Sequence, residues 1–292
     1  MVKSVYAALA TATVLLLMGS PAAQTKTRNI TVDGTSFAYV DTGSGAPVIL
    51  IHGSMGDYRE WSRQAELTRY HRVIAYSRRY HWPNALPTEG SDAGVERQAD
   101  DLAGIIKSLG LPVVHLVGHS YGGLVALVLT LKHPEMVRTL VLVEPAISSV
   151  LDKAPANNTV LRERETFRKE MRDAFQSGNA ERIVRTALAN YAPGEFENAP
   201  RETREMYLAN VPAFKLDFDS PRPTLACIDM QRIGVPALVV AGSRSPLLRT
   251  AQGVTQCLKA AKLETIPQGT HHLQVDHAQE FNNVVLEFLV KH

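Results

Sequence analysis

Ser120 stands in the pattern Gly118-x-Ser120-x-Gly122, with one glycine two positions before the serine and one two positions after it. A β-branched apolar run over 113–117 precedes this pattern, and an Ala/Leu/Val segment of helical length follows it. A strand that turns sharply into a helix needs small residues around the apex, because side chains there would collide with neighbouring backbone. The turn exposes the serine hydroxyl beside the amino end of a helix, where N–H groups can stabilise an oxyanion. The pattern therefore predicts a nucleophilic serine that attacks an acyl carbonyl.

A second loop carries glycine directly after a short, fully apolar run, as expected of a strand covered on both faces. This loop begins with His52, Gly53 and Ser54. A glycine just past a strand lets backbone amides approach a ligand closely. Together with Ser120, the loop predicts an oxyanion-binding loop with the backbone N–H of Ser54 as one donor, and a simple connection between strand and helix is the alternative.

Residues 1–23 have the pattern of a secretory signal peptide, with Lys3, an apolar run over 5–18 and small residues over 19–23. The apolar run is too short and wrongly flanked for a stable membrane span, although an uncleaved anchor is the alternative. We therefore expect a periplasmic or secreted protein that does not contact the membrane after signal cleavage.

The composition excludes several function classes. The 292 residues carry a net charge of +2, and no basic run or aromatic-basic stripe indicates nucleic acid. No Cys/His cluster has metal-ligand spacing, so neither a metal nor another cofactor is expected. Cys227 and Cys257 are the two cysteines, 30 positions apart, and either a disulfide or two buried thiols fits the sequence. The oligomeric state is left open.

The elements that position the serine follow an α/β pattern. The first two strands alternate around Asp33-Gly34, which predicts an antiparallel hairpin. Helices are expected over about 59–67, 92–109, 248–259 and 278–290. The eight expected strands are 27–32, 37–41, 48–51, 72–76, 113–117, 137–143, 236–241 and 262–266.

The spacing of apolar residues changes after the sixth predicted strand. Residues 146–233 contain charged amphipathic segments and no convincing strand. Helices are predicted over about 160–177, 180–190 and 201–210, and the proline-containing stretch 214–224 is predicted to be irregular. A helical block inserted in a parallel sheet is typical of a cap over the carboxyl edge, where ligands bind.

These motifs together resemble those of the α/β-hydrolase superfamily, and the resemblance covers essentially all of the mature chain outside the cap. It implies an α/β-hydrolase fold with a mostly parallel eight-stranded sheet, helices on both faces and a helical cap. The implied organisation is a signal peptide over 1–23, a core over 24–145 and 234–292, and a cap over 146–233.

The resemblance also assigns roles, because the family order is serine, acid, histidine. Ser120 would be the nucleophile and His271 the general base, with His272 as the alternative base. The oxyanion amides of Ser54 and Tyr121 are carried over in the same way. The partner implied is a small-molecule acyl substrate.

The acid departs from the family pattern. The common Gly-x-x-Asp after the seventh strand reads Gly242-Ser243-Arg244-Ser245 here, so a serine stands at the usual carboxylate position. Some relatives keep their acid after the sixth strand, where this chain has Glu144. We therefore expect Glu144 to be the triad acid. The alternatives are three carboxylates of the predicted cap: Asp217, Asp219 and Asp229.

The substrate pocket is predicted to be lined by His52, Gly53, His119, Tyr80 and Trp82, with ordinary packing as the alternative for the aromatic residues and for His119. The expected activity is that of a serine hydrolase cleaving a carboxylic ester or lactone through an acyl-enzyme. The alternatives are a carbon–carbon bond hydrolase of the same fold and a non-catalytic small-molecule-binding protein on a hydrolase scaffold.

Overall fold

The computed structural model describes residues 26–87, 92–151 and 158–292. The predicted signal peptide at 1–23 lies outside these residues, so export of the protein stays a prediction. Within the described ranges, no helix is both long enough and apolar enough to cross a membrane.

Eight strands of the described chain form a single sheet. Their bounds are β1 (Arg28–Val32), β2 (Thr35–Gly43), β3 (Pro47–Ile51), β4 (Arg72–Tyr76), β5 (Val114–His119), β6 (Val137–Val143), β7 (Ala237–Gly242) and β8 (Ala261–Ile266). The strand order is β1-β2-β4-β3-β5-β6-β7-β8. β2 runs antiparallel to β1 and β4, and the remaining neighbours pair in parallel. The predicted eight-stranded, mostly parallel sheet with an opening hairpin is confirmed.

Eleven α-helices occur in the described ranges. They are α1 (Val95–Ser108), α2 (Tyr121–Lys132), α3 (Asn158–Gln176), α4 (Ala180–Tyr191), α5 (Glu195–Asn198), α6 (Arg201–Ala209), α7 (Val211–Asp219), α8 (Cys227–Met230), α9 (Leu248–Cys257), α10 (Leu273–Asp276) and α11 (Ala278–Lys291). The segment predicted as a helix over 59–67 instead forms two 3₁₀ turns, Tyr58–Trp61 and Ala65–Arg69.

Successive side chains of the central strands point to opposite faces of the sheet, and each face is covered by helices. Ile49 and Ile51 of β3 belong to the core formed with α1, α2 and α9. Val48 and Leu50 belong to the core on the other face, which includes Phe281 of α11. This two-sided burial explains why the central strands read as continuous apolar runs.

Helices α3 to α8 lie between β6 and β7, within residues 146–233, which we call the helical insert. The insert has its own core, which includes Phe167, Met171, Val184 and Phe214 and reaches Met55 of the loop after β3. The prediction of an irregular stretch is wrong over 214–219, because α7 begins at Val211 and proline is accommodated in a first helical turn. The exact domain boundaries stay a prediction.

A disulfide between Cys227 of α8 and Cys257 of α9 joins the end of the helical insert to the core. The two Cα atoms are 4.8 Å apart, a separation within the usual range for a bridged pair. Of the two alternatives left open by the sequence, the structure therefore has the bridged one.

Candidate active site

Ser120 occupies the sharp turn between β5 and α2, at a φ of 52° that is uncommon for a residue other than glycine. The flanking glycines make this turn possible. A Cβ atom on Gly118 would lie 2.5 Å from the carbonyl oxygen of Gly122, and one on Gly122 would lie 2.3 Å from that of Ile51. The Ser120 amide also donates to the carbonyl of Val143 at 2.8 Å, which fixes the turn against β6.

The loop after β3 lies beside this serine. A Cβ atom on Gly53 would lie 2.8 Å from Nδ1 of His119 and 3.4 Å from the Cβ atom of Ser120, so a larger residue would collide with the His119 ring beside the serine. Gly53, Ser54 and Ser120 all line one cavity. Of the described residues, none accepts a hydrogen bond from the amide of Ser54 or from that of Tyr121. Both N–H groups are therefore available to stabilise an oxyanion beside Ser120.

His271 follows β8 and lines the same cavity as Ser120. Its ring nitrogen Nδ1 lies 3.4 Å from Oε2 of Glu144, the residue that follows β6. The ring is buried and packs against Tyr191 of α4, with 4.8 Å between ring centroids. The structure thus brings the predicted acid to the predicted base, and no described residue is hydrogen-bonded to Nε2 of His271.

The Glu144 carboxylate is held by the segment that usually supplies the acid. The amide of Gly242 donates to Oε1 at 2.6 Å, and the hydroxyl of Ser245 donates to Oε2. The Ser245 oxygen also accepts from the amide of Leu247 at 3.0 Å, which leaves its proton directed at the carboxylate. The serine that replaces the usual acid is therefore a hydrogen-bond donor to the displaced one.

Burial controls the protonation of this pair. It raises the pKa of Glu144 to about 8, although the hydrogen bonds from Ser245 and Gly242 act in the opposite direction. Burial, together with the charges of His119 and His272, lowers the pKa of His271 well below its ordinary value. His271 is therefore a neutral imidazole at neutral pH, the form that a general base requires.

His272, the alternative base, has a different environment. Its Nδ1 lies 2.5 Å from Oε2 of Glu195 in α5. Burial opposes its charge, but Glu195 raises the pKa of His272 to about 9. The contact with Glu195 favours the protonated ring of His272, which cannot accept the serine proton, whereas His271 contacts Glu144, so His271 fits the role of base better.

The alternative acids of the insert have other partners. Asp217 pairs with the fully buried guanidinium of Arg78, at 2.7 Å between Oδ2 and Nη2. Burial would raise the pKa of Asp217, but the charges of Arg78 and His81 lower it far below its usual range. Asp219 pairs with Lys215, and Asp229 accepts from the amide of Ala226 at 3.0 Å. Within the described chain, none of these carboxylates is hydrogen-bonded to His271.

Two predicted pocket residues, Gly53 and His119, line the cavity, but three others do not. His52 is buried beneath the loop, where Nε2 accepts from the amide of Arg78 at 2.8 Å and Nδ1 donates to the carbonyl of Gly53. Tyr80 packs in a small cluster with Ala93 and Ala213. Trp82 is 39% exposed, and the guanidinium carbon of Arg59 lies 3.9 Å from the centroid of the Trp82 ring.

The assignment of His52, Tyr80 and Trp82 to the cavity lining is therefore corrected. Both loops start at carboxyl ends of strands, but the side chains of His52 and Tyr80 are buried away from the cavity and that of Trp82 is partly exposed to solvent.

Glu60 is a site residue that the sequence did not reveal. Its carboxylate accepts from the amide of Gly53 at 3.1 Å and lies 2.8 Å from Nδ1 of His119. Nε2 of His119 lies 3.0 Å from the carbonyl oxygen of His271, so both of its nitrogens face acceptors. Burial would raise the pKa of Glu60, but the charge and hydrogen bond of His119 lower it. This buried pair links the oxyanion loop to the backbone of the base.

The cavity has a volume of about 330 Å³ and lies between the core and the helical insert. The core supplies the loop after β3, Ser120 and His271. The insert supplies apolar and aromatic residues and three arginines, which include Phe167, Tyr191, Phe214, Phe218 and Arg164. A pocket of this size that is lined mainly by apolar groups fits a small organic substrate.

Known proteins resemble this chain over most of its length. A family model described as "Alpha/beta hydrolase family" matches residues 48–284. The chain is 26% identical over 267 residues to "Serine hydrolase BPHL" of Homo sapiens, covering 89% of this chain and 85% of that one. It is 28% identical over 291 residues to the "2-hydroxymuconate semialdehyde hydrolase" of a Pseudomonas species, covering 90% and 94%.

A solved structure of an enzyme described as degrading N-acyl homoserine lactones matches with a TM-score of 0.73 at 20% identity, covering 89% of this chain and 100% of that one. At this level of identity the match shows the fold.

Proposed function

Since the chain belongs to the alpha/beta hydrolase family, we propose that it is a serine hydrolase that cleaves a carboxylic ester or lactone through an acyl-enzyme intermediate. The observation that carries the proposal is the arrangement around one cavity of a strained serine and a neutral histidine, with a buried carboxylate behind the histidine. A curated relative named as a serine hydrolase agrees with it.

In the first half-reaction, the Ser120 hydroxyl oxygen attacks the acyl carbonyl carbon while Nε2 of His271 takes the hydroxyl proton. The carbonyl oxygen becomes an oxyanion, which the amides of Ser54 and Tyr121 stabilise. The imidazolium is stabilised by the Glu144 carboxylate at Nδ1. When the tetrahedral intermediate collapses, the bond to the alcohol oxygen breaks and His271 returns its proton to that oxygen.

In the second half-reaction, His271 takes a proton from water, and the resulting hydroxide attacks the acyl carbon. The same two amides stabilise the second oxyanion. Collapse breaks the bond to the Ser120 oxygen, which recovers its proton from His271, and the carboxylic acid leaves. The cycle consumes one water, and the groups that move protons or stabilise charge in it belong to Ser54, Ser120, Tyr121, Glu144 and His271.

We also propose that the protein acts outside the cytoplasm, as the sequence of residues 1–23 predicts. The disulfide between Cys227 and Cys257 supports this proposal, because such bonds persist mainly in oxidising compartments.

A fluorophosphonate probe tests the proposal, because it labels only a serine whose hydroxyl is activated. We expect mass spectrometry to locate the label on Ser120, and Ser120→Ala to abolish both labelling and hydrolysis of 4-nitrophenyl esters and lactones. A folded wild-type protein that is neither labelled nor active would favour a non-catalytic binding protein. Labelling without ester or lactone turnover, but with cleavage of a vinylogous diketone, would favour carbon–carbon hydrolysis.

A further inference from the structure

Three arginines line the cavity beside the proposed nucleophile. Arg164 and Arg168 belong to α3, and Arg222 lies between α7 and α8. Arg164 is half-buried, and its Nη2 donates to the hydroxyl of Thr250 at 2.5 Å. Arg168 and Arg222 are exposed to solvent. Half-buried Arg164 is partly removed from water in a mainly apolar pocket, so an anionic group bound there would compensate its charge.

The three guanidinium groups have no carboxylate within 4 Å among the residues that the structure describes. Other arginines of the insert are paired, such as Arg185 with Glu181 and Arg201 with Glu205. Two acidic residues contribute to the same cavity lining. One of them, Glu60, already pairs with His119. The other is Glu163, whose single negative charge is smaller than the three positive charges of the arginines.

Two of the three arginines lie over aromatic rings. The Arg222 guanidinium carbon lies 5.4 Å from the ring centroid of Tyr121, the residue after the nucleophile. The Arg168 guanidinium carbon lies 5.2 Å from the ring centroid of Phe218. Such contacts hold a guanidinium in place while its N–H donors stay available.

All three arginines also act on Tyr191, whose ring packs on His271. Burial raises the pKa of Tyr191, and the charges of Arg222, Arg164 and Arg168 oppose that rise. Burial lowers the pKa of Arg164 against the opposing contribution of Tyr191, and the charge of Arg222 adds to the lowering. The three positive charges are therefore concentrated within reach of one ring at the active site.

From this placement, we infer that the cavity takes a substrate that carries a carboxylate, which Arg164, Arg168 and Arg222 bind while Ser120 attacks the acyl group. The inference rests on the proposed function and narrows its substrate class to anionic esters and lactones. Guanidinium groups suit this role because their N–H donors match the two oxygens of a carboxylate.

Two matched substrate pairs test the inference. Mono-4-nitrophenyl adipate and 4-nitrophenyl hexanoate differ only in the carboxylate or methyl group that ends the acyl chain. The pair 4-acetoxybenzoate and 4-methylphenyl acetate places the same difference on the alcohol part. For each pair, the ratio of kcat/KM, anionic over neutral, is measured in wild type, Arg164→Gln and Arg222→Gln. Lys169→Gln is the matched control, because it removes an exposed charge from α3 outside the cavity lining.

We expect at least one pair to favour the anionic ester in wild type by about tenfold, the size of one charge-assisted hydrogen bond. Each arginine variant should lower that ratio by about tenfold, whereas Lys169→Gln should leave it within about twofold. The ratio should also fall as salt rises, because the exposed arginines are screened. The inference is overturned if both pairs have ratios near one in wild type, or if the arginine variants leave the ratios unchanged.

Failure of the proposed function gives a different result. If wild type hydrolyses none of the four esters, the ester-hydrolase proposal fails, and binding decides the inference separately. Isothermal titration of adipate and of 4-hydroxybenzoate into Ser120→Ala should then show binding that weakens about tenfold when Arg164→Gln is added. Equal or absent binding in both proteins would overturn the inference.

Discussion

The hydrogen bond from Ser245 to Glu144 should influence how catalysis depends on pH. The proposed triad requires an ionised Glu144, and burial raises the pKa of that group to about 8. Activity should therefore increase with pH through the ionisation of Glu144, since His271 is already neutral at lower pH. Ser245→Ala removes a donor that favours the ionised form, so the rising limb of the pH profile should move to higher pH.

The size of this effect follows from the contacts. With a pKa of about 8, about one tenth of Glu144 is ionised at pH 7. A hydrogen bond to a charged group contributes about 1.5–3 kcal/mol. Since 1.36 kcal/mol corresponds to one pH unit, Ser245→Ala should move the limb upward by about one to two pH units. At pH 7 the variant should be about ten- to a hundredfold slower than wild type, and it should approach wild type near pH 10.

The assay is kcat/KM for a neutral 4-nitrophenyl ester between pH 5 and 10, corrected for spontaneous hydrolysis. The midpoint of the rising limb belongs to the coupled pair of Glu144 and His271 and not to one residue. The quantity compared is therefore the shift of that midpoint between wild type and Ser245→Ala. Ser243→Ala is the matched control, because the Ser243 hydroxyl accepts from the amide of Gln268 at 2.9 Å and is not bonded to Glu144. If Ser245→Ala lowers activity equally at every pH, the reasoning is refuted, and Ser245 acts only by shaping the loop.

Three further predictions concern the acid, the buried ion pair and the disulfide. Glu144→Gln should reduce turnover by about 10²–10⁴ with little change in unfolding, and Ser245→Asp added to it should restore part of the loss; near-normal turnover of a neutral ester would rule Glu144 out. Asp217→Asn should lower the free energy of unfolding in urea by about 3–5 kcal/mol, because Arg78 would stay buried without a carboxylate, and a loss under 1 kcal/mol would contradict this. Cys227→Ala should lower the free energy of unfolding by about 3–4 kcal/mol by freeing the loop in the unfolded chain, and an unchanged midpoint under oxidising conditions would argue against it.

The sequence predicts best what local chemistry determines. The turn at Ser120 can be predicted because its strand, glycines and helix are contiguous in the sequence. Glu144 could be selected because the usual acid position holds Ser245 and because the end of β6 lies at the same edge as Ser120. Its assigned role stays a prediction, and the distance to His271 agrees with it.

The sequence predicts poorly what depends on how separate segments meet. Glu60 and His119 are 59 positions apart, and a glutamate in a short helical turn has no pattern that marks it as buried. Tyr191 and the cavity arginines belong to the helical insert. The spacing of apolar residues predicts the helices of the insert but not where they lie over the sheet. Residue type alone predicts Trp82 in the pocket, but an aromatic residue can also lie on the surface, and Trp82 is 39% exposed.

The pairing of Arg78 with Asp217 constrains how this enzyme can be shortened. Arg78 also donates to the carbonyl oxygens of His52 and Gly53, so it supports the loop that carries one proposed oxyanion donor. An engineer who deleted residues 146–233 to obtain a minimal hydrolase would remove the aspartate and leave an uncompensated guanidinium beneath that loop. A viable deletion would need an accompanying change such as Arg78→Met, because an apolar side chain of similar volume tolerates that environment. For the same reason, a gradual evolutionary loss of the insert would have to begin at Arg78 in the core.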